Sequence, residues 1–217
     1  MGLLSKKDAK LIMDPLLDDN PITIQVLGIC SALAITAQLE ASIVMAVSVM
    51  FVLGMGNVVI SLMRNIIPSK IRIIVQLVVV AALVIIVDLV LKAFAYELSK
   101  TLSVFVGLII TNCIIMGRFE AFALANGPWR SFLDGIGNSL GYGLILIIVG
   151  FFRELLGSGT LLGYPVLGNP IKGELSGVYA FGYENNGFML LSPMALIIVG
   201  LIIWVQRSRN KALIEDE

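Results

Sequence analysis

Two cysteines are the residues best suited to chemistry in this sequence of 217 residues. Cys30 lies in VLGICSALA and Cys113 lies in IITNCIIMG, so each thiol is embedded in an apolar run. The sequence has no histidine, which removes the commonest metal ligand and the commonest general base. Whether the two cysteines act together depends on whether the segments that carry them are related.

The residue types leave three uses of the thiols open. A disulfide is the first, although chains of the cytoplasm rarely keep disulfides. Apolar packing is the second, because free cysteine is among the most buried residue types. Metal binding is the third: zinc and a [2Fe–2S] cluster each take four ligands, and this sequence offers two thiols. A metal site would therefore need a second chain, or a second copy of this one, to supply the other pair.

The composition indicates which elements must position the cysteines. Hydrophobic residues make up 58% of the sequence and charged residues 14%, whereas a soluble domain is nearer half apolar and a quarter charged. The sequence therefore predicts an all-α integral membrane protein, with the lipid bilayer as its surroundings. The net charge is zero and no basic patch occurs, so nucleic acid is not expected as a partner.

Six apolar stretches predict six transmembrane helices within one membrane domain, residues 21–206. They are Ile22–Leu39, Ala41–Met63, Ile73–Leu91, Thr101–Gly117, Gly135–Phe152 and Asn185–Gln206. A full crossing takes about 20 residues, and the first and fourth stretches, which contain the cysteines, are shorter. The first spans about 22 Å from Ile22 to Thr36, less than the ~30 Å hydrocarbon core. We therefore expect a half-helix or a re-entrant segment there.

Positive charges in the loops predict the orientation, because cytoplasmic loops carry an excess of Lys and Arg. Six crossings place both termini on one side, and that side carries eleven of the fifteen Lys and Arg residues. We therefore expect the N-terminal tail, residues 1–20, and the C-terminal tail, residues 207–217, in the cytoplasm. The segment Gly157–Glu184 would form a folded outer loop.

The two cysteine segments belong to an internal repeat. When Cys30 is aligned with Cys113, a Glu-Ala pair follows in both halves, and GMGN at 54–57 then matches GIGN at 135–138. Each unit, about 21–97 and 101–206, contains three predicted crossings, so the second copy must be inverted relative to the first. Inverted repeats place their functional site near the midplane, on short or interrupted helices. The pseudo-two-fold axis would bring both thiols close together at mid-depth, although the repeat alone would equally suit a transporter or scaffold without a redox centre.

Four segments of the sequence carry a family resemblance. They are NPITIQVLGICSALAITAQLE, SLMRNIIPSKIRIIVQ, DLVLKAFAYELSKTLSVFVGLIITNCIIMGRFEAFA, and DGIGNSLGYG followed by FFRELLGSG. They closely resemble the D subunits of the Na⁺-translocating NADH:quinone oxidoreductases. The E subunit of the related Rnf electron-transfer complex is the nearest alternative.

The resemblance implies a six-helix subunit of a six-subunit complex in the bacterial inner membrane. In that family the subunit pairs with a homologous sister subunit of opposite orientation, the E-type subunit, and each gives two cysteines to an intramembrane [2Fe–2S] cluster. The matching positions here are Cys30 and Cys113, which would bind iron. Electron flow from NADH to ubiquinone, through FMN and FAD on other subunits, is coupled in that family to Na⁺ export.

Three further charged residues invite a prediction. Asp88 is a candidate for an ion path because it lies within a membrane stretch, but Lys92 follows it at the spacing of a helix-surface ion pair. Asp134 precedes GIGN, where it would collect Na⁺ at an entrance or favour the positive end of a helix dipole. Arg153 ends the fifth stretch and is expected to reach out to the membrane interface.

Overall fold

The structure is a computed structural model that describes residues 6–17, 19–68, 70–94, 107–161, 164–165 and 187–209. The α-helices with defined bounds are α1 (Lys6–Leu17), α2 (Ile29–Ile35), α3 (Leu39–Met63), α4 (Arg72–Phe94), α5 (Cys113–Arg118), α6 (Pro128–Gly157) and α7 (Ser192–Arg209). A π-helical turn, Phe119–Ala123, follows α5, and a 3₁₀ turn, Gly187–Leu190, precedes α7. Two short antiparallel strands, β1 (Thr160–Leu161) and β2 (Tyr164–Pro165), follow α6. Most of the predicted outer loop and residues 210–217 lie outside the described residues.

Three helices in the described part of the chain are long and apolar enough to cross a membrane. They are α3, α4 and α6, whose most apolar windows have mean hydropathies of 2.4, 3.1 and 1.8. The apolar helix α7 has 18 residues. Isoleucine and valine side chains of α4 are exposed on the chain's surface, as expected of a helix that faces lipid. The helical membrane fold predicted from composition is therefore confirmed.

Helices α3 and α6 pack antiparallel along a seam of small residues. A Cβ added at Gly135 would lie 3.0 Å from the Cα atom of Gly54, and one added at Gly143 would lie 3.0 Å from the Cβ atom of Ala46. Small residues let helix backbones approach closely inside a membrane. The two GxGN motifs, one on each helix, therefore face each other in this seam.

The two cysteine-bearing stretches are interrupted. In the first, residues 21–25 form turns, Val26 and Gly28 adopt φ angles of 57° and 80°, and only then does the seven-residue α2 begin. A positive φ is incompatible with a continuous right-handed helix, and glycine accepts it most readily. In the fourth stretch, residues 107–110 are helical, Thr111 and Asn112 break the helix, and α5 has six residues. Both cysteines therefore lie beside a break in the helix.

The N-terminal segment is part of the packed structure. Helix α1 lies along α6: a Cβ at Gly137 would be 2.6 Å from the carbonyl oxygen of Leu11, and a Cβ at Gly141 would contact the carbonyl of Pro15. This order of contacts means that the two helices run in the same direction. Asn20 follows α1 and donates from Nδ2 to the carbonyl oxygen of Gly141 at 3.1 Å. Helix α1 and Asn20, which lie in the segment predicted as a tail, are therefore held against α6.

Candidate metal centre

The fold places the two cysteines side by side. Cys30 is the second residue of α2 and Cys113 is the first residue of α5. Their Sγ atoms lie 3.8 Å apart, although the residues are 83 positions apart in the sequence. Both thiols are free, and both side chains are exposed. The chain therefore presents a pair of neighbouring thiols on its surface.

Local backbone features fix where each thiol-bearing helix begins. Asn112 is the N-cap of α5, and its Oδ1 atom accepts a hydrogen bond from the backbone N–H two residues on, at 3.4 Å. Asparagine is among the preferred residues at this position. Gly28 precedes α2, and a Cβ there would lie 3.0 Å from Cε2 of Tyr142. Gly28 therefore supplies both the positive φ and the space for a tyrosine ring.

Three buried polar side chains, here called the polar triad, connect the two cysteine segments. They are Ser31, Asn112 and Tyr142, with 3%, 3% and 0% of their surface exposed. The Ser31 Oγ and Tyr142 Oη atoms are 2.6 Å apart, and Asn112 Nδ2 donates to Ser31 Oγ at 3.2 Å. Ser31 follows Cys30 and Asn112 precedes Cys113, so one hydrogen-bonded group adjoins both thiols.

Tyr142 also shows where the thiols lie along the membrane helices. It is the fifteenth of the 30 residues of α6, which puts it at the middle of that helix. A helix of this length extends about 45 Å, longer than the ~30 Å hydrocarbon core, so its middle falls well inside the core. Ile35, Ile114 and Ile115, on the two cysteine helices, are fully or almost fully buried. The thiol pair therefore lies at the level of the middle of α6, beside an apolar interior.

The separation of the sulfurs suits two thiolates on one metal ion. A disulfide would bring them to about 2.05 Å, well below the 3.8 Å observed. Two thiolates bound to one tetrahedral ion through bonds of about 2.3 Å are about 3.8 Å apart. Among the residues that the structure describes, no group of three or more His, Cys, Asp and Glu side chains could hold a metal ion. The donor set in the described residues is thus a pair of exposed thiols.

Both acidic candidates form ion pairs. Asp88 Oδ2 lies 2.6 Å from Lys92 Nζ, as the spacing predicted. Asp134 is buried, and Arg118, the last residue of α5, donates from Nε to its Oδ2 atom at 3.0 Å. Because α6 begins at Pro128, Asp134 lies beyond the first turn, and its interpretation as a helix-start residue is wrong. It is instead the buried counter-charge of Arg118, whose side chain is partly exposed.

Arg153 has a role that the sequence analysis missed. It was expected to reach the membrane interface, but 1% of its surface is exposed. Its guanidinium donates to Thr36 Oγ1 at 2.5 Å, and to the carbonyl oxygens of Leu190 at 2.7 Å and Leu33 at 3.4 Å. These contacts tie the end of α2 to the turn before α7. The sequence does not show whether the guanidinium of an arginine at the end of an apolar stretch faces water or donates to backbone carbonyls.

Comparison with known proteins places the chain in a family. The model of a family described as "Rnf-Nqr subunit, membrane protein" matches residues 9–203. The D subunit of a Na(+)-translocating NADH-quinone reductase from Proteus mirabilis (strain HI4320) is 53% identical over 213 residues, which cover 98% of this chain and 99% of that protein. A protein of the same name from Photobacterium profundum is 54% identical over 211 residues, or 97% of each chain. The chain therefore belongs to the Rnf-Nqr family of membrane subunits.

Proposed function

We propose that this chain is the D subunit of a Na⁺-translocating NADH-quinone reductase and relays electrons within that complex. The names of relatives that match it over nearly their whole length support the assignment to the complex. The observation that carries the relay is the exposed thiol pair, with sulfurs 3.8 Å apart at the level of the middle of α6. Thiols at that depth would let the chain hold a redox metal centre within the apolar layer.

Cys30 and Cys113 would form half of the binding site for a [2Fe–2S] cluster. Such a cluster takes four thiolates, and a homologous sister subunit of E type and opposite orientation would supply the other two. The outward direction of both thiols supports a site shared between two chains, and their separation supports binding to a single iron. When bound, the cluster supplies a place to hold an electron inside the membrane.

The residues of this chain would hold, orient and shield the site. A carrier at mid-depth divides one electron transfer across the ~30 Å core into two shorter ones. Ile35, Ile114 and Ile115 would exclude water, and the polar triad would orient the segments that bear the thiols. NADH, FMN, FAD and ubiquinone would bind to other subunits of the complex, and the electron flow would be coupled to Na⁺ export.

The topology that we propose is a six-crossing inverted repeat, residues 21–97 and 101–206, with both termini in the cytoplasm. The antiparallel packing of α3 on α6, with the two GxGN motifs facing each other, supports it. The pairing of Cys30 with Cys113 supports it independently, since an inverted repeat relates these two positions. The opposite orientation of the sister subunit would then place its own cysteines at the same depth.

The test is the iron EPR signal of the intact complex, with Cys30→Ser and Cys113→Ser compared with Thr111→Ser. Thr111 is an exposed residue two positions before Cys113, so the control changes the same loop without removing a thiol. We expect the signal to be lost in both cysteine variants, with all subunits still assembled, and to be retained in the control. Iron that survives either cysteine change would leave the thiols as packing residues of a transporter or scaffold subunit.

A further inference from the structure

The hydrogen bonds of the polar triad have only one consistent direction. Ser31 Oγ donates to the carbonyl oxygen of Gly28 at 2.9 Å, which uses its only proton. In the 2.6 Å contact between Ser31 Oγ and Tyr142 Oη, the tyrosine must therefore be the donor. Asn112 Nδ2 lies 3.2 Å from Ser31 Oγ and 3.4 Å from Tyr142 Oη, and because these two oxygens are close together it shares one amide proton between them. The proton of each hydroxyl is thus committed, and both hydroxyl oxygens accept from the same amide group.

The tyrosine hydroxyl is the point at which three helices meet. Ser31 belongs to α2 and follows Cys30, while Asn112 caps α5 and precedes Cys113. Tyr142 lies at the middle of α6 and contacts both. The Tyr142 ring is seated on the backbone of α2's N-cap glycine, which has no Cβ to displace it. The hydroxyl is therefore held in place by the ring as well as by its own hydrogen bonds.

Helix α6 also holds the far ends of both cysteine helices. Arg153 of α6 binds Thr36, directly after α2, and Asp134 of α6 binds Arg118, the last residue of α5. Since these ends are fixed, the position of each helix start depends on what holds it there. The hydroxyl of Tyr142 is a contact that both starts share, through the side chains next to the thiols.

We infer that Tyr142 is a positioning residue whose hydroxyl sets the separation and direction of the Cys30 and Cys113 thiols. Without the hydroxyl, Ser31 Oγ loses one of its two donors and Asn112 loses one of its acceptors. Of the triad's bonds, the direct one between Asn112 and Ser31 then remains, and the thiols sample wider separations. The consequence for iron rests on the proposed function, whereas the consequence for thiol geometry does not.

The experiment compares Tyr142→Phe with Ser139→Ala in the whole reductase complex. Both changes remove a buried hydroxyl from α6, but that of Ser139 donates to the carbonyl of Ile136 in its own helix, at 2.9 Å. Iron is first extracted with a chelator. The rate at which phenylarsine oxide, a probe that binds two neighbouring thiols, captures the cysteine pair is then measured. The iron EPR line shape of the untreated complex is recorded alongside.

The loss of one hydrogen bond shifts a conformational equilibrium by about fivefold. We therefore expect phenylarsine oxide to capture the cysteine pair about fivefold more slowly in Tyr142→Phe. The iron signal should shift or broaden in the same variant, and Ser139→Ala should match the unchanged complex in both measurements. Equal capture rates in Tyr142→Phe and the unchanged complex would overturn the inference. If the unchanged complex holds no iron, the proposed function fails, and the capture rates still decide the role of Tyr142.

Ser31→Ala provides a second route if Tyr142→Phe fails to assemble. It removes the hydroxyl to which both Tyr142 and Asn112 donate, so capture should slow to a similar extent. Where both single variants assemble, the double variant should be no slower than either, because both changes break the same bonds. Independent, additive effects would show that Tyr142 acts on the thiols by another route and would overturn the inference.

Discussion

Replacing Gly135 by alanine tests the close packing of α3 against α6. The new Cβ would lie 3.0 Å from the Cα atom of Gly54, 3.1 Å from the carbonyl oxygen of Leu53 and 2.9 Å from Nδ2 of Asn57. Two of these three atoms belong to the backbone and cannot rotate away. The helices themselves must therefore move apart to accept the methyl group.

The structure sets the size of the effect. A relaxed carbon–carbon contact of about 3.7 Å requires the two backbones to separate by about 0.7 Å. The same movement would stretch the buried bond from Asn57 Nδ2 to the carbonyl oxygen of Ser131, now 2.8 Å, to about 3.5 Å, which is beyond the usual range. Overpacking of this kind costs up to about 3 kcal/mol, and the better helix propensity of alanine returns about 1 kcal/mol. We expect a net loss of about 2 kcal/mol in the free energy of unfolding.

The assay is thermal unfolding of the full chain in detergent, with Gly200→Ala as the control. Gly200 is also a helical glycine, in α7, but a Cβ there would meet nothing within 4 Å. At about 2–4 °C per kcal/mol for a chain of this size, Gly135→Ala should lower Tm by about 4–8 °C. Gly200→Ala should leave Tm unchanged or raise it slightly. A Gly135→Ala chain as stable as the control would refute the close contact between the helices.

Two further substitutions test charged residues. Arg153→Met leaves the carbonyl of Leu190 and the hydroxyl of Thr36 without this donor; Thr36 is fully buried, and a buried group left unpaired costs about 1–3 kcal/mol. The subunit should then be missing from purified complexes on an immunoblot, and a normal yield would contradict the anchoring role. Asp88→Asn removes an ion pair with Lys92 that contributes about 0.3–0.5 kcal/mol. Na⁺ uptake by membrane vesicles should therefore stay within about twofold of normal, whereas a larger loss would put Asp88 on an ion path.

The packing of α3 against α6 could be predicted from the sequence, because one short motif occurs in both helices. GMGN and GIGN share glycines at the positions where a backbone must come close, and Gly54 and Gly135 do face each other. The same alignment placed Cys30 over Cys113, which are neighbours in the structure. The matching order of the cysteine and the GxGN motif in each half could suggest this pairing.

Other features depend on tertiary contacts that an internal repeat in the sequence does not reveal. Tyr142 corresponds to Ser61 when the two GxGN motifs are aligned, so the repeat gave no reason to look there. Asp134 interrupts an apolar run, and the helix was expected to begin after it. The helix begins earlier, at Pro128, and Asp134 within it is paired with Arg118. For both Tyr142 and Asp134, a partner residue from another segment of the chain sets the structural role. Local composition does not identify that partner.

The parallel course of α1 and α6 limits the order in which the chain can assemble during synthesis. Gly137 and Gly141, which make room for the backbone of α1, follow Leu11 by about 125 residues. At about 5–20 residues per second, the ribosome needs about 6–25 s to make that length. Throughout this interval α1, with charged residues such as Lys10 and Asp14 on its surface, has no groove in which to dock. Helix α1 thus leaves the ribosome well before the helix on which it packs, and a nascent chain arrested before Gly141 would carry it undocked.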